Sequence, residues 1–479
     1  MTTARTRSAG AGAFLLAAVL LLAGAALGGA EPLTVDQAVA RALANQPLIQ
    51  QAQAAVEAAR ARVGEAQSAY YPFVNGSASY NRITDESFSI ASVLPPGVPL
   101  SAFGVNPGTP LAQLLSSPLS LAPVNNWDFS VGLNQVIYQF GKREIQVKLA
   151  ENGTAAAQIG LEQIQMSLAF QTVQTFYSVL FLQDQVAALD SQMQNLQEHL
   201  AGVEARMETG SATRYDELST QARVTALQSQ RIDAQNMLDK QVIGLKQLLG
   251  MEESAPLQLS GGFAPSAATT PDEAALLGAS MSSRPEVRQA AESESAAELG
   301  RRLTATASYP TLSAHASIGY KTGALPDINA LSLSWVVGVQ LNVPIFQGFL
   351  VARQNDEADG KLQAARQAAL AARRTVTTQV LQAIQDLKAA RDQVQAAQAQ
   401  LDQAKDVLDV VKVQYDLGLL TNLEYLDAQA GLERAQLGSL QSQYREVLSE
   451  YALRQAAGEK IWTGAASGQP AGEQAPPQK

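Results

Sequence analysis

The chain has no cysteine among its 479 residues, which excludes several kinds of chemistry at once. Disulfide bonds, thiol catalysis, cysteine-ligated metals and lipidation of an N-terminal cysteine all require that residue. Histidine is nearly as scarce, because His199 and His315 are the only two and they belong to different segments. Two separated histidines form neither a metal cluster nor a catalytic triad.

Charged residues are also sparse, at 16% of the chain against a usual share of about 25%. The net charge of −10 argues against a nucleic-acid partner. Phosphate-binding loops, zinc-protease helices and nucleophile elbows are missing from the sequence as well. We therefore expect a protein that is not an enzyme and that binds no metal or cofactor.

Long apolar runs are confined to the N-terminus. Arg5 and Arg7 precede an apolar segment from Ala13 to Leu27, and small residues follow at 28–30. This order is typical of an export signal, so residues 1–30 are interpreted as a signal peptide, with a membrane anchor as the alternative. Later in the chain, no run reaches the roughly 18 apolar residues that a membrane-spanning helix needs.

What the sequence has in abundance is internal repetition. The segment that starts at Ile137 recurs at Ile345, and the same shift of 208 residues relates Trp127 to Trp335. Within both copies apolar residues return every seven positions, which predicts long helices packed as a coiled coil. The run 142–209 would be roughly 100 Å long at 1.5 Å per residue, which exceeds an ordinary globular domain.

A second shift, of 238 residues, relates the segments that precede the strands. Pro47 is expected to kink its helix or to split off a short first helix, and Pro285 is its counterpart. The second of these helical segments is predicted to start at Thr270-Pro271. The predicted organisation is a first repeat over 31–249 with its tip at 210, an equatorial linker over 250–270, a second repeat over 271–457 with its tip at 418, and a tail over 458–479 that is disordered at its end.

Four segments alternate apolar and polar residues, at 71–83, 127–139, 311–321 and 331–343. Such alternation suits transmembrane barrel strands of about 9–11 residues, but it is equally normal in a half-buried sheet of a soluble protein. The export signal and the very long adjoining helices favour the membrane. The stretch 83–126 is interpreted as a long loop. The residues predicted to face lipid are Trp127, Phe129, Val131, Leu133, Trp335, Val337, Val339 and Leu341.

Four strands cannot close a barrel, because about eight is the practical minimum. Since lipid does not tolerate open strand edges, such a barrel has to be shared between chains. Two chains would give about eight strands and a lumen filled by side chains, whereas three would give about 12 strands and an open lumen.

The two helix tips carry the residues of most functional interest. Gly210 and Gly418 fit the C′ position that ends a helix, and Thr213 and Thr421 fit the N-cap of the next helix. The residues predicted to form the surface of the tips, and to contact an adaptor protein, are Gly210, Ser211, Ala212, Thr213, Gly418, Leu419, Leu420 and Thr421.

Acidic residues follow each cap, at Asp216 and Glu217 in the first copy and at Glu424 in the second. They have two interpretations. In one, they only complement the positive end of the helix dipole. In the other, Glu424 and Asp427, three apart on one helix face, point into a channel and form acidic rings that gate it.

The duplicated order of these features resembles the TolC family of outer-membrane efflux proteins. The resemblance rests on the segment 33–47, the Tyr-Pro pairs at 71–72 and 309–310, the segment 344–348 and the two glycine turns. It implies a mixed α/β membrane protein that forms a homotrimer. The trimer would have a 12-stranded transmembrane β-barrel, four strands per chain, continued by a long 12-helix periplasmic α-barrel.

The resemblance also implies a function. The chain would be a passive exit channel in the outer membrane of a Gram-negative bacterium, extending into the periplasm, in a tripartite efflux or type I secretion system. A periplasmic adaptor, or membrane fusion protein, would meet the tips. An inner-membrane pump of the RND, ABC or MFS type would drive transport, and outer-membrane lipid would surround the barrel.

Two departures from the pattern of the family stand out. The first copy has Val136 where the second has Pro344, so one barrel-to-helix junction lacks the proline. At the tips, Tyr415 and Asp216 are expected to supply a polar link of the closed gate. Leu420, in contrast, is apolar at a position where a basic link residue can occur.

A periplasmic coiled-coil adaptor or scaffold protein is the alternative function. It too would combine an export signal with long hairpins rich in alanine and glutamine. It would not need four alternating strands with tryptophan at matching positions, so the channel is preferred.

Overall fold

The computed structural model describes residues 32–84, 87–88, 99–104, 106, 108–116, 119–120, 123–263, 272–323, 327 and 329–462. The predicted signal peptide and all but the first five residues of the predicted tail lie outside these ranges. The chain divides into two compact units. The first contains residues 1–56, 156–291 and 367–479, and the second contains residues 57–155 and 292–366.

Long helices dominate the described residues. None of the described helices combines the length and the apolar character needed to cross a membrane. The helices are α1 (Val35–Asn45), α2 (Pro47–Ser68), α3 (Pro110–Ser116), α4 (Lys142–Glu208), α5 (Arg214–Leu248), α6 (Glu273–Ser283), α7 (Pro285–Ala305), α8 (Leu350–Asp416) and α9 (Asn422–Ala456). The strands are β1 (Phe73–Arg82), β2 (Ser87–Phe88), β3 (Leu119–Ser120), β4 (Asn125–Tyr138), β5 (Thr311–Lys321) and β6 (Ser332–Asn342).

The internal repeat of the sequence reappears in the bounds of the helices. Helices α4 and α8 each have 67 residues, and α5 and α9 each have 35. Every one of these helices begins and ends 208 residues from its counterpart. Helices α1 and α6 each have 11 residues and are related by the second shift of 238. The repeat is therefore structural, and each half carries one continuous and one split helical segment.

Two details of the sequence interpretation need correction. The stretch predicted as a long loop contains, in its described parts, the short paired strands β2 and β3 and the helix α3. The second split segment begins at Glu273, with Asp272 as its N-cap, and the predicted start at Thr270-Pro271 lies outside the described residues. Asp272 makes no capping hydrogen bond with its side chain.

In the first unit, two equivalent clusters of buried residues hold the helices together. Val179 of α4 and Leu245 of α5 are fully buried in one cluster. Their counterparts 208 residues later, Leu387 of α8 and Leu453 of α9, are buried in the other. Burying a large aliphatic side chain stabilises a fold by about 1.5–3 kcal/mol. The seven-residue apolar period of the sequence is thus the packing seam of these helices.

The residue before each helix-splitting proline caps another helix of the first unit. Because proline disfavours helical backbone in the preceding residue, Gln46 and Arg284 are extended. Gln46 Nε2 donates to the C=O groups of Gln247 (2.9 Å) and Leu248 (3.0 Å) at the end of α5. Arg284 Nη1 donates to the C=O of Gln455 (3.1 Å) at the end of α9. Each split therefore satisfies carbonyl groups that a helix end leaves unpaired.

The linker after the first repeat contacts the start of the chain. Leu33 N–H donates to Gln258 C=O (2.8 Å), and Ser260 N–H donates to Leu33 C=O (2.9 Å). These bonds form a short parallel bridge between Leu33 and Leu259. Residues 264–270 of the predicted linker lie outside the described part of the chain.

The second unit contains an antiparallel sheet of four strands in the order β1-β4-β5-β6. Residues that lie opposite each other on paired strands project from the same face. Trp127 lies opposite Tyr80, Val131 opposite Ile318, and Ile318 opposite Trp335. All eight residues predicted to face lipid therefore share one face of the sheet, and each is exposed in the single chain. The other face is largely polar, with Ser77, Ser130 and Ser334 at the level of Gly319, among other polar residues.

An arginine stands at the junction that lacks the proline. Arg143, at the start of α4, is 8% exposed, and its guanidinium donates to three backbone carbonyls. They belong to Val136 (3.0 Å), Ile137 (2.8 Å) and Ala69 (3.3 Å). The first junction is thus held by a charged side chain, whereas the second copy has Pro344 at the position of Val136.

Gly319 of β5 lies against the backbone of β4, and it gives the first prediction. A Cβ atom at Gly319 would collide with the Phe129 carbonyl oxygen and with Ser130, whereas one at Gly76 of β1 would meet nothing within 4 Å. Gly319→Ala should destabilise the sheet by about 1–3 kcal/mol, because backbone has to shift. Gly76→Ala is the control. The measurement is the temperature at which the folded band is lost in a heat-modifiability gel, and equal temperatures for both variants would contradict the prediction.

Candidate functional site

Two helical hairpins form the candidate site, and their tips lie in the first unit. The first hairpin is α4–α5, and the second is α8–α9. Each turns at a left-handed glycine, with φ of 77° at Gly210 and 73° at Gly418. Ser211 N–H donates to Arg206 C=O at 2.7 Å, and Leu419 N–H makes the equivalent bond at 2.9 Å. These are Schellman turns, so glycine is required for backbone conformation at the tip of each hairpin.

The residues after each turn form a reciprocal capping box. Thr213 N–H donates to the Asp216 carboxylate (2.9 Å), and Asp216 N–H donates to Thr213 Oγ1 (3.2 Å). In the second hairpin, Thr421 N–H donates to the Glu424 carboxylate (2.7 Å), and Glu424 N–H donates to Thr421 Oγ1 (3.3 Å). The Thr421 backbone and hydroxyl donors lower the pKa of Glu424. Both threonines therefore fill the N-cap position that the sequence predicts.

The capping boxes bear on the two interpretations of the acidic residues. The carboxylates of Asp216 and Glu424 are engaged by threonines of their own turns. Asp427 lies one turn further along α9 and is exposed. The capping role is thus directly visible for two of the predicted gate residues. Their role in a gate remains a separate prediction.

Arg206 joins the two hairpins of the chain. From the last turn of α4, its Nη2 contacts Asp416 Oδ1 of α8 at 2.9 Å. Its guanidinium also lies 4.6 Å from the ring centroid of Tyr415. An exposed ion pair contributes about 0.2–1 kcal/mol, and an exposed cation–π contact about 0.5–1 kcal/mol. Together these two contacts fix the end of one long helix to the end of the other.

Tyr415 is therefore a tip residue that packs against other side chains of its own chain. It is 9% exposed, and burial raises its pKa, so its hydroxyl stays protonated at neutral pH. It contacts Arg206, His199 and Tyr425. The carboxylate of Asp216 is held by Thr213 instead. A polar link between Tyr415 and Asp216 of neighbouring tips stays a prediction.

Other polar pairs fasten the hairpins above the tips. Arg223 of α5 contacts Glu433 of α9 at 2.7 Å, and the glutamate side chain is 11% exposed. Gln192 Nε2 of α4 donates to Gln436 Oε1 of α9 at 2.6 Å. Removing one partner of a largely buried ion pair leaves an uncompensated charge and costs far more than the pair itself contributes. These contacts hold the two hairpins in one register.

Three residues that contribute to the site were missed by the sequence interpretation: Arg206, Asn422 and His199. Their partners are more than 200 residues away in the sequence, and no local pattern reports such contacts. One signal was available in the repeat itself. Asn422 follows the cap of the second hairpin, whereas its counterpart in the first is Arg214. Side chains that break an internal symmetry are candidates for contacts between the halves.

Comparison with known proteins identifies the family of this chain. A family model described as "Outer membrane efflux protein" matches residues 38–251 and 276–459. The chain belongs to that family. The outer membrane efflux protein BepC of Brucella suis is 26% identical over 456 residues, which are 93% of this chain and 90% of that protein. Outer membrane protein TolC of Vibrio cholerae is 24% identical over 345 residues, 70% of this chain and 78% of that protein.

A solved structure shares the fold. The CmeC outer membrane channel of Campylobacter jejuni superimposes with a TM-score of 0.70 at 20% identity, covering 88% of this chain and 85% of that one. The predicted resemblance and fold class are thus confirmed, including four strands of the main sheet in each chain. The chain is an outer-membrane exit channel that extends into the periplasm. The matched family consists of channel proteins. The alternative function, a periplasmic adaptor or scaffold, does not correspond to that family.

The capping box of the second hairpin gives the second prediction. Thr421→Ala removes the hydroxyl that accepts from Glu424 N–H, and loss of such a cap costs about 0.5–2 kcal/mol. Hydrogen exchange of the backbone amides at 422–425 should become several-fold faster. Thr421→Ser, which keeps the hydroxyl, is the matched control and should exchange like the wild type. Exchange that is unchanged in Thr421→Ala would contradict the assigned role of the cap.

Proposed function

We propose that three copies of this chain form a passive duct, opened at its helical tips by a periplasmic adaptor and an inner-membrane pump. The observation that carries the proposal is the open sheet of four strands. One face of this sheet is apolar, and two of its strands, β4 and β6, are followed in the chain by the long helices α4 and α8. Strands β1 and β6 are the two edges of that sheet. In lipid their unpaired backbone groups need partners, and further copies of the same sheet supply them.

Three copies favour an open duct over two. Three sheets of four strands would close a barrel of about 12 strands, wide enough for a water-filled lumen, whereas about eight strands leave room only for side chains. The shared apolar face would then contact lipid, with Trp127 and Trp335 at equivalent positions of the two repeats. The polar face, lined with serine and asparagine, would border the lumen.

Exposed apolar side chains on the lower part of α8 support the homotrimer. Val407, Val410 and Val413 are each more than half exposed in the single chain and fall three residues apart, on one stripe of the helix. Tyr215 and Leu218 make a similar surface at the start of α5. Contacts with neighbouring copies would remove these side chains from water, at about 25 cal/mol per Å² of apolar area.

The tips are the proposed meeting point with the adaptor. Leu419 is 70% exposed beside Gly418, and Ser211 and Gly210 are exposed at the other tip. A small, rigid turn with an exposed apolar side chain suits docking against the end of another helical hairpin. The pump is proposed to be of the RND, ABC or MFS type, because the chain has no nucleotide-binding or redox motif with which to drive transport.

The gate is proposed at Glu424 and Asp427, together with Asp216 and Tyr415. In a trimer, Glu424 and Asp427 would give two rings of three carboxylates each at the narrow end of the duct. Such rings attract cations and repel anions. Hydrogen bonds from Thr421 lower the pKa of Glu424, which favours the charged carboxylate that such a ring needs.

The third prediction concerns the charge of the gate. In planar bilayers, the double variant Glu424→Ala with Asp427→Ala should lose cation selectivity and most of the block by divalent cations. Asp233→Ala removes an exposed carboxylate further up α5 and is the control. Unchanged selectivity in the double variant would refute the gate assignment while leaving the duct intact, and a wild type that never conducts would refute the duct.

A further inference from the structure

A buried asparagine connects the tips of the two hairpins. Asn422, the first residue of α9, is 4% exposed. Its Nδ2 donates to the backbone C=O of Asp216 (3.2 Å) and to Thr220 Oγ1 (3.1 Å), both in α5. Since a backbone carbonyl only accepts, these bonds fix the orientation of the amide group. The Asn422 oxygen must therefore point the other way.

That oxygen meets a histidine of the first long helix. His199 Nε2 of α4 lies 2.7 Å from Asn422 Oδ1. Because the amide oxygen is an acceptor, Nε2 carries the proton and donates it. The neutral histidine then has Nδ1 as its free acceptor. A single chain of hydrogen bonds thus runs from α4 through the start of α9 to the first turn of α5.

Aromatic rings enclose the histidine. The imidazole stacks on Tyr425 of α9, with ring centroids 4.1 Å apart and an interplanar angle of 21°. Tyr415 of α8 lies 5.3 Å away. His199 therefore touches both helices of the second hairpin from the first. A side chain held on one side by a hydrogen bond and on the other by stacked rings has little rotational freedom, which suits a positioning role.

We propose that His199 and Asn422 form a pin that makes the two tips of one chain move as a single body, and that proton binding at His199 loosens this pin. The inference rests on the proposed gate at the tips and adds its internal control. Opening of the duct then requires either that the tips move together or that the pin is broken. An acidic periplasm would favour the second route.

The surroundings of His199 determine the sign of the pH effect. A cavity of about 370 Å³ borders the ring and gives water access to it. Charged groups line this cavity on α4, namely Glu198 and Arg206, and on α8, namely Asp409, Lys412 and Asp416. On α5, the Asp216 carbonyl accepts from Asn422, and the Asp216 carboxylate is held within its capping box. On α9 the only titratable group in contact is Tyr425.

Burial lowers the pKa of His199, and the positive charge of Arg206 lowers it further. The hydrogen bond to Asn422 and the negative charge of Asp416 act in the opposite direction. The pinned state consequently prefers neutral histidine. The pin therefore has its full strength at a pH above the ordinary histidine pKa of about 6.5, and it loses that strength as the pH falls below this value. The protonated ring would place a second positive charge beside Arg206 in a partly desolvated site.

The test uses the full-length protein in planar bilayers, with open probability recorded at pH 7.5 and 5.5. Wild type should open more at the lower pH. Asn422→Ala should open more than wild type at pH 7.5, by on the order of five-fold, the effect of losing one net hydrogen bond. His199→Gln keeps a donor for Asn422 but cannot titrate, so its open probability should match the wild type at pH 7.5 and stay there at pH 5.5.

His315→Gln is the matched control, since His315 is the other histidine of the chain and lies in β5. It should retain the pH response of the wild type. A response of His199→Gln that equals the wild type, or an Asn422→Ala variant that opens no more than wild type, overturns the pin while the duct still conducts. Absence of conductance in the wild type at both pH values overturns the proposed function itself. Heat-modifiability gels identify any variant that fails to assemble, and His199→Gln then decides alone.

Discussion

The need to pair backbone groups at the two edges of one small sheet governs the rest of this structure. Strands β1 and β6 expose unpaired N–H and C=O groups, and in the outer membrane no water is present to satisfy them. In the proposed duct, the apolar face of the sheet contacts lipid. Because this sheet has four strands, the proposed assembly closes it with other copies of the chain and would repeat the attached helices around one axis.

The internal duplication of the chain supplies both pairs of strands and their attached helices from one repeated pattern. The helices α4 and α8 have equal lengths, and equivalent residues such as Leu245 and Leu453 build equivalent cores. The departures from symmetry are local and chemically specific. Arg143 holds one strand-to-helix junction through backbone carbonyls, while the other copy has proline in that region. Gln46 caps one helix end with a neutral amide, and Arg284 caps the equivalent end with a charge.

Much of the architecture was predictable because its determinants are local. Glycine at C′, threonine at the N-cap and the residue before a proline each impose backbone geometry within a few positions, and alternation imposes the faces of the strands. The contacts between the hairpins were not predictable. His199 and Asn422 are 223 residues apart, and nothing near either residue indicates the other. The short elements within 83–126 were also missed, because two-residue strands carry too little sequence pattern to be recognised.

At the tips, buried polar groups also require partners, and these partners connect the two hairpins. Asn422, Arg206 and Glu433 link helices of different hairpins, so the hairpins of one chain are fastened to each other. All of this presupposes that copies of the chain complete each other's sheets. Native mass spectrometry of the protein extracted from the outer membrane tests that claim most directly. The account predicts particles of three chains, and particles consisting of one or two chains would contradict it.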